Sequence, residues 1–323
     1  HSVGSIPQGQ APKLQNTFTM NRWNTLKETL ESYVSADVLP AQIVIVDQTK
    51  EEQLRDKIKA SVDLLRDRVD ATYSYQTIPS STKARNTGLS LCKNDIVVFS
   101  DDDITVQPDT LRNVADIMKN QQIAMIAGIN SRSGFSNSKL GYLFGKKSFA
   151  KRNIGHVTNA MYGRFPQQKV KGMVDTEWAM GFFFVIRKSL ADRWNIRWDE
   201  NLTSYAYAED LDFSFSYYKQ AKSEHLACIL DDRVVVEHRV SDEWRIPSRK
   251  HTIMIVINRE YLSYKHKMGL KSRIMTRWSN FGDILFRIIK KSGGVKDMID
   301  AQLICDKHRN DLKNGKINLE WYK

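Results

Sequence analysis

Apolar and polar positions in this chain fall into short blocks that alternate between two periods. Residues 14–19 read as a first strand, and beyond Asn21-Arg22 the apolar residues Leu26, Leu30, Tyr33 and Val34 recur at the three- and four-residue spacing of an amphipathic helix. Ile43-Val44-Ile45-Val46 is an unbroken apolar run that ends in Asp47, with a polar helix predicted over 51–70. A short strand over 74–78, a helix over 81–92 and a strand over 95–100 follow. Further strands are expected over 123–129, 182–186 and 234–238, and helices over 188–194 and 208–221. From residue 251 onward the pattern is mainly helical. Residues 130–171, rich in Gly and Ser with scattered aromatics and bases, read as a long irregular loop of the kind that faces substrate.

Strands that are apolar throughout and separated by helices predict an α/β fold, a mostly parallel sheet covered on both faces. In such sheets ligands gather at the carboxyl ends of strands. Thr19, Asp47 and the triplet Asp101-Asp102-Asp103 all stand at such ends, so polar groups far apart in sequence are expected on one edge. Three adjacent carboxylates repel one another unless a cation sits among them, and a hard divalent ion holding phosphate oxygens would supply that compensation.

Composition refines this picture. A hydrophobic content of 41 % is that of a folded protein, and no run approaches the roughly 20 apolar residues of a membrane span. Residues 1–13 are polar and read as a disordered or tag-derived start, 14–244 as the α/β domain that carries the acidic edge and 245–323 as a basic helical extension. The net charge of +12 is concentrated there: residues 245–323 hold 18 Lys and Arg against 7 Asp and Glu. A basic tail on a nearly neutral body suits anionic partners. Ile274, Trp278, Phe281, Leu285 and Ile288 form one stripe beside Arg273, Arg277, Arg287, Lys290 and Lys291. Such a helix suits an anionic bilayer, and equally the catalytic domain or a second subunit in a homo-oligomer. Cys92, Cys228 and Cys305 lack metal-ligand spacing and read as free thiols of a reducing cytoplasm, with peripheral attachment at the inner face of the membrane as the expected location.

Five ordered segments, Thr19-Met20-Asn21-Arg22, Val44-Ile45-Val46-Asp47, Ala84-Arg85-Asn86-Thr87-Gly88, Phe99-Ser100-Asp101-Asp102-Asp103 and Ala208-Glu209-Asp210, resemble the motifs of the family 2 glycosyltransferases of the GT-A fold; Glu237-His238 is a sixth, weaker match. The resemblance implies an inverting transfer from a nucleoside-diphosphate sugar, with Mn²⁺ or Mg²⁺ as cofactor. It implies donor contacts from Thr19, Asn21, Arg22, Asp47, Arg85, Asn86, Asp101 and Asp102. The counterpart of Asp47 accepts from the nucleotide base, which suits the imide of uracil and so a UDP-linked donor. Arg85 supplies a planar fork for a diphosphate. Asp103 is implied as direct metal ligand, Asp101 as ligand or ribose contact, and His238 as a further ligand. Asp210 is implied as the base that takes the acceptor's proton, with Glu209 beside it raising its proton affinity. Trp178, Gly181 and Glu209 are expected at the acceptor, although Trp178 suits a sugar ring and the core equally.

Polysaccharide synthases of this family carry a Gln-x-x-Arg-Trp element. Arg193-Trp194 and Arg277-Trp278 lack that glutamine, so the expected product is one added sugar, or a short run, on a glycan or lipid-linked acceptor in surface polysaccharide or glycolipid synthesis. Two rivals are weighed against this. A basic nucleic-acid-binding protein would fit the charge, but the bases are confined to the tail and no nucleic-acid motif is present. A sugar nucleotidyltransferase calls for a Gly-rich phosphate loop near the first strand, and residues 19–23 have none.

Overall fold

The computed structural model describes residues 15–133, 139–203, 206–239 and 247–322; the expected N-terminal segment 1–13 and the boundary at 244/245 lie outside them. The first half is a run of strand and helix: β1 (Gln15–Thr19), α1 (Trp23–Val34), β2 (Gln42–Asp47), α2 (Glu52–Asp63), β3 (Asp70–Tyr75), α3 (Ser81–Leu91) and β4 (Ile96–Ser100). The four strands lie side by side in the order β3-β2-β1-β4, all parallel, as helical crossovers require. Every residue of β2 is buried, which is why it reads as an unbroken apolar run.

β3 begins at Asp70, ahead of the predicted 74–78, and α2 stops at Asp63, short of the predicted Asp70. As the last strand of the sheet, β3 pairs on one side only, and its sequence Asp-Ala-Thr-Tyr-Ser-Tyr is too polar to stand out.

The second half mixes directions. After β5 (Ile104–Val106), α4 (Thr110–Met118) and β6 (Ile123–Asn130) the chain forms α5 (Lys139–Leu143), a small hairpin of β7 (His156–Val157) and β8 (Gly163–Arg164), and β9 (Met173–Asp175). Then come β10 (Phe183–Arg187), α6 (Lys188–Arg193), α7 (Glu209–Ser223) and the long β11 (Ala227–His238). The sheet continues β4-β10-β6-β11-β5, with β9 also on β11. β10, β5 and β9 run against the other strands. β5 and β9, three residues each, are too short to carry a period, and neither they nor α4 is foreseen in the sequence.

One face of the sheet packs Phe99, Phe184, Trp198 and Phe213 together, with Trp198 and Phe213 stacked at 4.4 Å between centroids. This seats α7 on the sheet through Phe213, one turn beyond Asp210. The C-terminal helices α8 (Ser248–Lys265), α9 (Gly269–Ile289), α10 (Val295–Lys307) and α11 (Arg309–Lys313) confirm the helical reading of this part. They join the body through a shared core: Ile253, Met254 and Ile257 of α8 pack with Leu211 and Phe215 of α7 and with Trp178.

Candidate active site

Strand register brings the predicted residues to one edge. Thr19 lies beside Asp47, and Thr17 beside Ser100, so the triplet starts one step past the end of β4. Phe183 at the start of antiparallel β10 also lies beside Ser100, which puts Gly181 and Phe182 at the same edge. The pairing of β11 with β5 sets His238 opposite Ile104, and so next to Asp103. A cleft of about 710 Å³ opens along this edge, lined by the triplet, Arg22, Arg85, Gly181, Asp210 and His238.

The three carboxylates have different fates. Asp102 turns toward β1, where Oδ2 accepts from the Thr19 hydroxyl at 2.7 Å and Oδ1 from Arg22 at 2.8 Å. Burial pushes its pKa up to about 7, helped by Asp103 and opposed by Arg22 and Thr19. Asp101, Asp103 and His238 each present a ligand atom, all within 4.8 Å of one another. His238 Nε2 stands 3.2 Å from Asp103 Oδ1. Metal–oxygen bonds of about 2.1 Å set neighbouring ligand atoms about 3 Å apart, so the 3.2 Å pair suits two neighbouring positions on a divalent ion, with Asp101 near enough to join them. His238 is stacked on Phe182, which fixes its ring plane. Burial lowers its pKa, but the Asp103 hydrogen bond and the nearby carboxylates outweigh that and raise it.

Behind the triad lies a buried arginine. Arg85 donates Nη2 to Asp101 at 3.0 Å and to the Gly181 carbonyl at 3.2 Å, pairs through Nε with Glu209 at 3.3 Å, and lies over the Trp198 ring. Its charge thereby serves two carboxylates of the cleft. Glu209 is buried, and burial drives its pKa well above the ordinary value, with Arg85 opposing and Asp210 reinforcing. Asp210 accepts from the Gly181 N–H through Oδ2 and from the Leu211 N–H through Oδ1, both at 2.8 Å. Burial raises its pKa against those two bonds and Arg85. The backbone entering α7 is unusual: Ala206 and Ala208 both have positive φ, and Ala208 occupies the N-cap with no capping side chain. Strain of this sort is held only where surrounding contacts over-determine it.

Four predicted donor residues, Thr19, Asn21, Asp47 and Asn86, are not among those lining the cleft, and the Thr19 hydroxyl is given to Asp102; the predicted acceptor residue Trp178 lines it from the core. Asp47 is fully buried, and its oxygens accept from Thr49 N–H and Tyr73 O–H, so it shapes the turn after β2 and does not line the cleft. Asn86 also lies off the cleft, bonded to both the N–H and the carbonyl of Trp198, where it ties down the 198–200 loop. Asn21 adopts positive φ, gives its N–H to Thr49, and lies between two residues, Met20 and Arg22, that do line the cleft. Trp178 lines the cleft but is buried, stacked on Phe165, with Nε1 on the Arg164 carbonyl, which is the core role. Gln48, Met180, Tyr207 and His251 also line the cleft although none is a predicted site residue, and Tyr162 and Arg164 do so from the 130–171 segment expected to face substrate. Gln48 and Met180 adjoin the predicted Asp47 and Gly181 and so carry a signal in the sequence; Tyr207 and His251 come from the turn before α7 and from α8, whose approach to this edge is a tertiary outcome.

The sequence matches the family model described as glycosyl transferase family 2 over residues 17–194, more than half of the chain. It is similar to the glucosyl-dolichyl phosphate glucuronosyltransferase of Haloferax volcanii, 28 % identical over 112 residues, which is 35 % of this chain and 35 % of that protein's own length. Among solved structures it resembles the mannosyltransferase PcManGT from Pyrobaculum calidifontis, solved in complex with GDP-Man and Mn²⁺, at a TM-score of 0.53 and 14 % identity, covering 99 % of this chain and 84 % of that one. It also resembles GalNAc-T7, solved with UDP, GalNAc and Mn²⁺, at a TM-score of 0.57 and 15 % identity, covering 95 % and 58 %. At such identities the likeness establishes the shared GT-A fold. With the family match spanning most of the sheet and the acidic triplet, the chain belongs to glycosyl transferase family 2.

Proposed function

We propose that this glycosyltransferase moves one sugar, or a short run, with inversion, from a nucleoside-diphosphate sugar to a hydroxyl of a glycan or lipid-linked acceptor in surface polysaccharide or glycolipid synthesis. The donor is read as UDP-linked on the family resemblance of the segment ending in Asp47, and not on a cleft contact of that side chain. The observation that carries the reading is the joint placement of Asp101, Asp103 and His238 with the Asp210 carboxylate in one cleft. The first three would hold the divalent ion. Its nitrogen ligand favours Mn²⁺ over Mg²⁺, which prefers oxygen alone. When bound, such an ion supplies positive charge against the departing diphosphate.

The chain's own residues do the rest. Arg22 and Thr19 lock Asp102, so the turn carrying the ligands is rigid before donor arrives. Arg85 fixes the direction of Asp101 and of the first turn of α7. Asp210 takes the acceptor's proton as its hydroxyl attacks the anomeric carbon from the face opposite the leaving group. Its partners are two backbone N–H groups, which hold the carboxylate in one orientation without supplying a competing proton.

A thermal-shift series of nucleoside diphosphates and their sugars, with and without Mn²⁺, tests donor and metal together, because ligands that bind only the native state raise its melting temperature. The expected outcome is a shift from UDP that requires Mn²⁺ and disappears in Asp103→Ala. An equal shift from GDP would reject the uracil assignment, and a metal-independent shift would reject the ion site.

A further inference from the structure

An amphipathic helix normally buries its apolar stripe, and α9 does the reverse. Its buried residues are Ser272, Thr276, Ser279, Asn280 and Gly282. They fasten it by hydrogen bonds, Ser272 to the Asn159 carbonyl and Asn280 to Arg259 and Gln302. The stripe of Ile274, Trp278 and Phe281 is turned outward. A second segment, distant in sequence, extends the same face: Trp278 donates Nε1 to the Leu143 carbonyl, Phe144 lies against Trp278, and Gly282 gives Phe144 room where a Cβ would stand 2.3 Å from its ring. Leu140, Leu143, Phe149, Ile274, Trp278 and Phe281 are each 41–67 % exposed. Monomeric proteins rarely leave that many large apolar side chains together in water.

The charge around this face selects its occupant. Residues 139–152 contain five Lys and Arg and no acidic residue. α9 contains four Lys and Arg against Asp283 alone, which is itself held by Lys146. Arg277 pairs with Glu260 and Asp306 and Lys151 with Glu177, and the remaining bases of the two segments still leave a positive surplus. A second copy meeting this one across a two-fold axis would set two strongly basic faces against each other. An anionic bilayer supplies both the apolar phase and the opposite charge. Among the described residues no helix is long and apolar enough to cross a membrane, so the contact is with the bilayer surface.

We propose that the face built from residues 139–149 and α9 docks on an anionic lipid bilayer, with Trp278, Phe281 and Leu143 entering the boundary between headgroups and acyl chains. The face is tied to the cleft. Asp283 of α9 accepts from Tyr162 at 3.2 Å and holds Lys146, whose carbonyl accepts from Arg164 at 2.7 Å; Tyr162 and Arg164 line the cleft. Docking therefore sets the cleft beside the membrane surface. That the bilayer delivers the acceptor rests on the lipid-linked reading above; the docking itself does not.

Flotation of the full chain with two kinds of vesicle tests it, one of phosphatidylcholine alone and one of equal parts phosphatidylcholine and phosphatidylglycerol. We expect flotation with the second only, weakening as salt is raised. Trp278→Ser with Phe281→Ser, and separately Lys271→Glu with Arg273→Glu, are each expected to lower partitioning about tenfold or more. Both variants should keep the wild-type rate of UDP-sugar hydrolysis without lipid, so a failure of docking is distinguishable from a failure of the transferase reading. Absence of flotation with the anionic vesicles at low salt overturns the proposal, and the wild-type experiment decides this even if a variant does not fold. A wild-type dimer by light scattering that Trp278→Ser with Phe281→Ser converts to monomer also overturns it, in favour of a self-interface.

Discussion

Gly181 donates its backbone N–H to Oδ2 of Asp210 at 2.8 Å, while its carbonyl accepts from Arg85. Gly181, two residues ahead of β10, thus orients both the proposed base and the arginine that braces Asp101. A Cβ here would come 2.8 Å from Arg85 Nη2 and 3.3 Å from Asp210 Cβ. Arg85 has nowhere to move, being 3 % exposed, stacked on Trp198 and bonded to two carboxylates. Gly181→Ala is therefore expected to cost about 1–3 kcal/mol of stability by overpacking. It should also lower kcat by at least tenfold, because base and metal ligand are displaced together. Melting temperature and steady-state rates measured on one preparation check this; a fully active variant would show that Asp210 does not need this orientation.

Asp210→Asn keeps the shape of the side chain and removes its basicity. Donor binding should stay within about twofold of wild type, while kcat falls by about 10²–10⁴, the usual worth of a positioned base. The pH dependence carries a sign. A base works deprotonated, so kcat/KM rises with pH through the pKa of the free enzyme. Burial of Asp210 raises that pKa above the ordinary aspartate value of about 3.9. The acid limb should accordingly lie above the ordinary aspartate range in wild type and vanish from the residual activity of Asp210→Asn.

Metal dependence should separate the members of the triplet. Asp103→Ala is expected to abolish the Mn²⁺-dependent melting shift, and His238→Gln to raise the Mn²⁺ midpoint by about tenfold or more while leaving the fold intact. Asp102→Asn should act differently, because its carboxylate meets Thr19 and Arg22 and is not part of the ligand group. Its expected effect is a weaker maximal rate with a Mn²⁺ midpoint close to wild type. Titration of each variant with Mn²⁺, read by melting temperature, distinguishes the two classes.

The sheet's parallel half and the site's edge were legible because buried strands leave unbroken apolar runs and because polar residues at their ends have no structural reason to cluster. Ile43–Val46 and the run before Asp101 are of this kind. What escaped detection is what burial does not encode locally. β3 is a polar edge strand, and β5 and β9 are too short to show a period. Asp47 and Asn86 sit in recognisable motifs, yet their side chains turn inward to hold Tyr73, Thr49 and the 198–200 loop, and a motif cannot reveal the direction in which a side chain points. The stripe of α9 was visible as a period, but its outward orientation depends on the opposite face, where Ser272, Thr276 and Asn280 find polar partners in the body.

The junction between α7 and α8 yields a prediction about stability. Asp212, on α7 and 1 % exposed, accepts from Lys265 at 2.6 Å and lies 2.9 Å from His266 Nε2; Lys265 also pairs with Asp199 at 2.6 Å, which in turn accepts from Tyr261. Removing Asp212 leaves Lys265 with Asp199 alone and takes the acidic partner from buried His266, so Asp212→Ala is expected to cost about 1–3 kcal/mol. The triple variant Asp212→Leu with Lys265→Met and Asp199→Asn should recover much of that loss, since all three charges leave together. The pH dependence follows from Asp199. Burial raises its pKa, but Lys265 and the Tyr261 hydrogen bond more than offset this and depress it below the ordinary value. A depressed carboxylate contributes stability that is fully present above its unfolded pKa of about 3.9 and is lost as pH falls through its folded value. Asp199→Asn should therefore lower the denaturation midpoint at neutral pH and converge toward wild type in strong acid. Urea melts of both proteins across that range read the difference directly. Equal destabilisation at every pH would mean that Asp199 acts through packing and not through its charge.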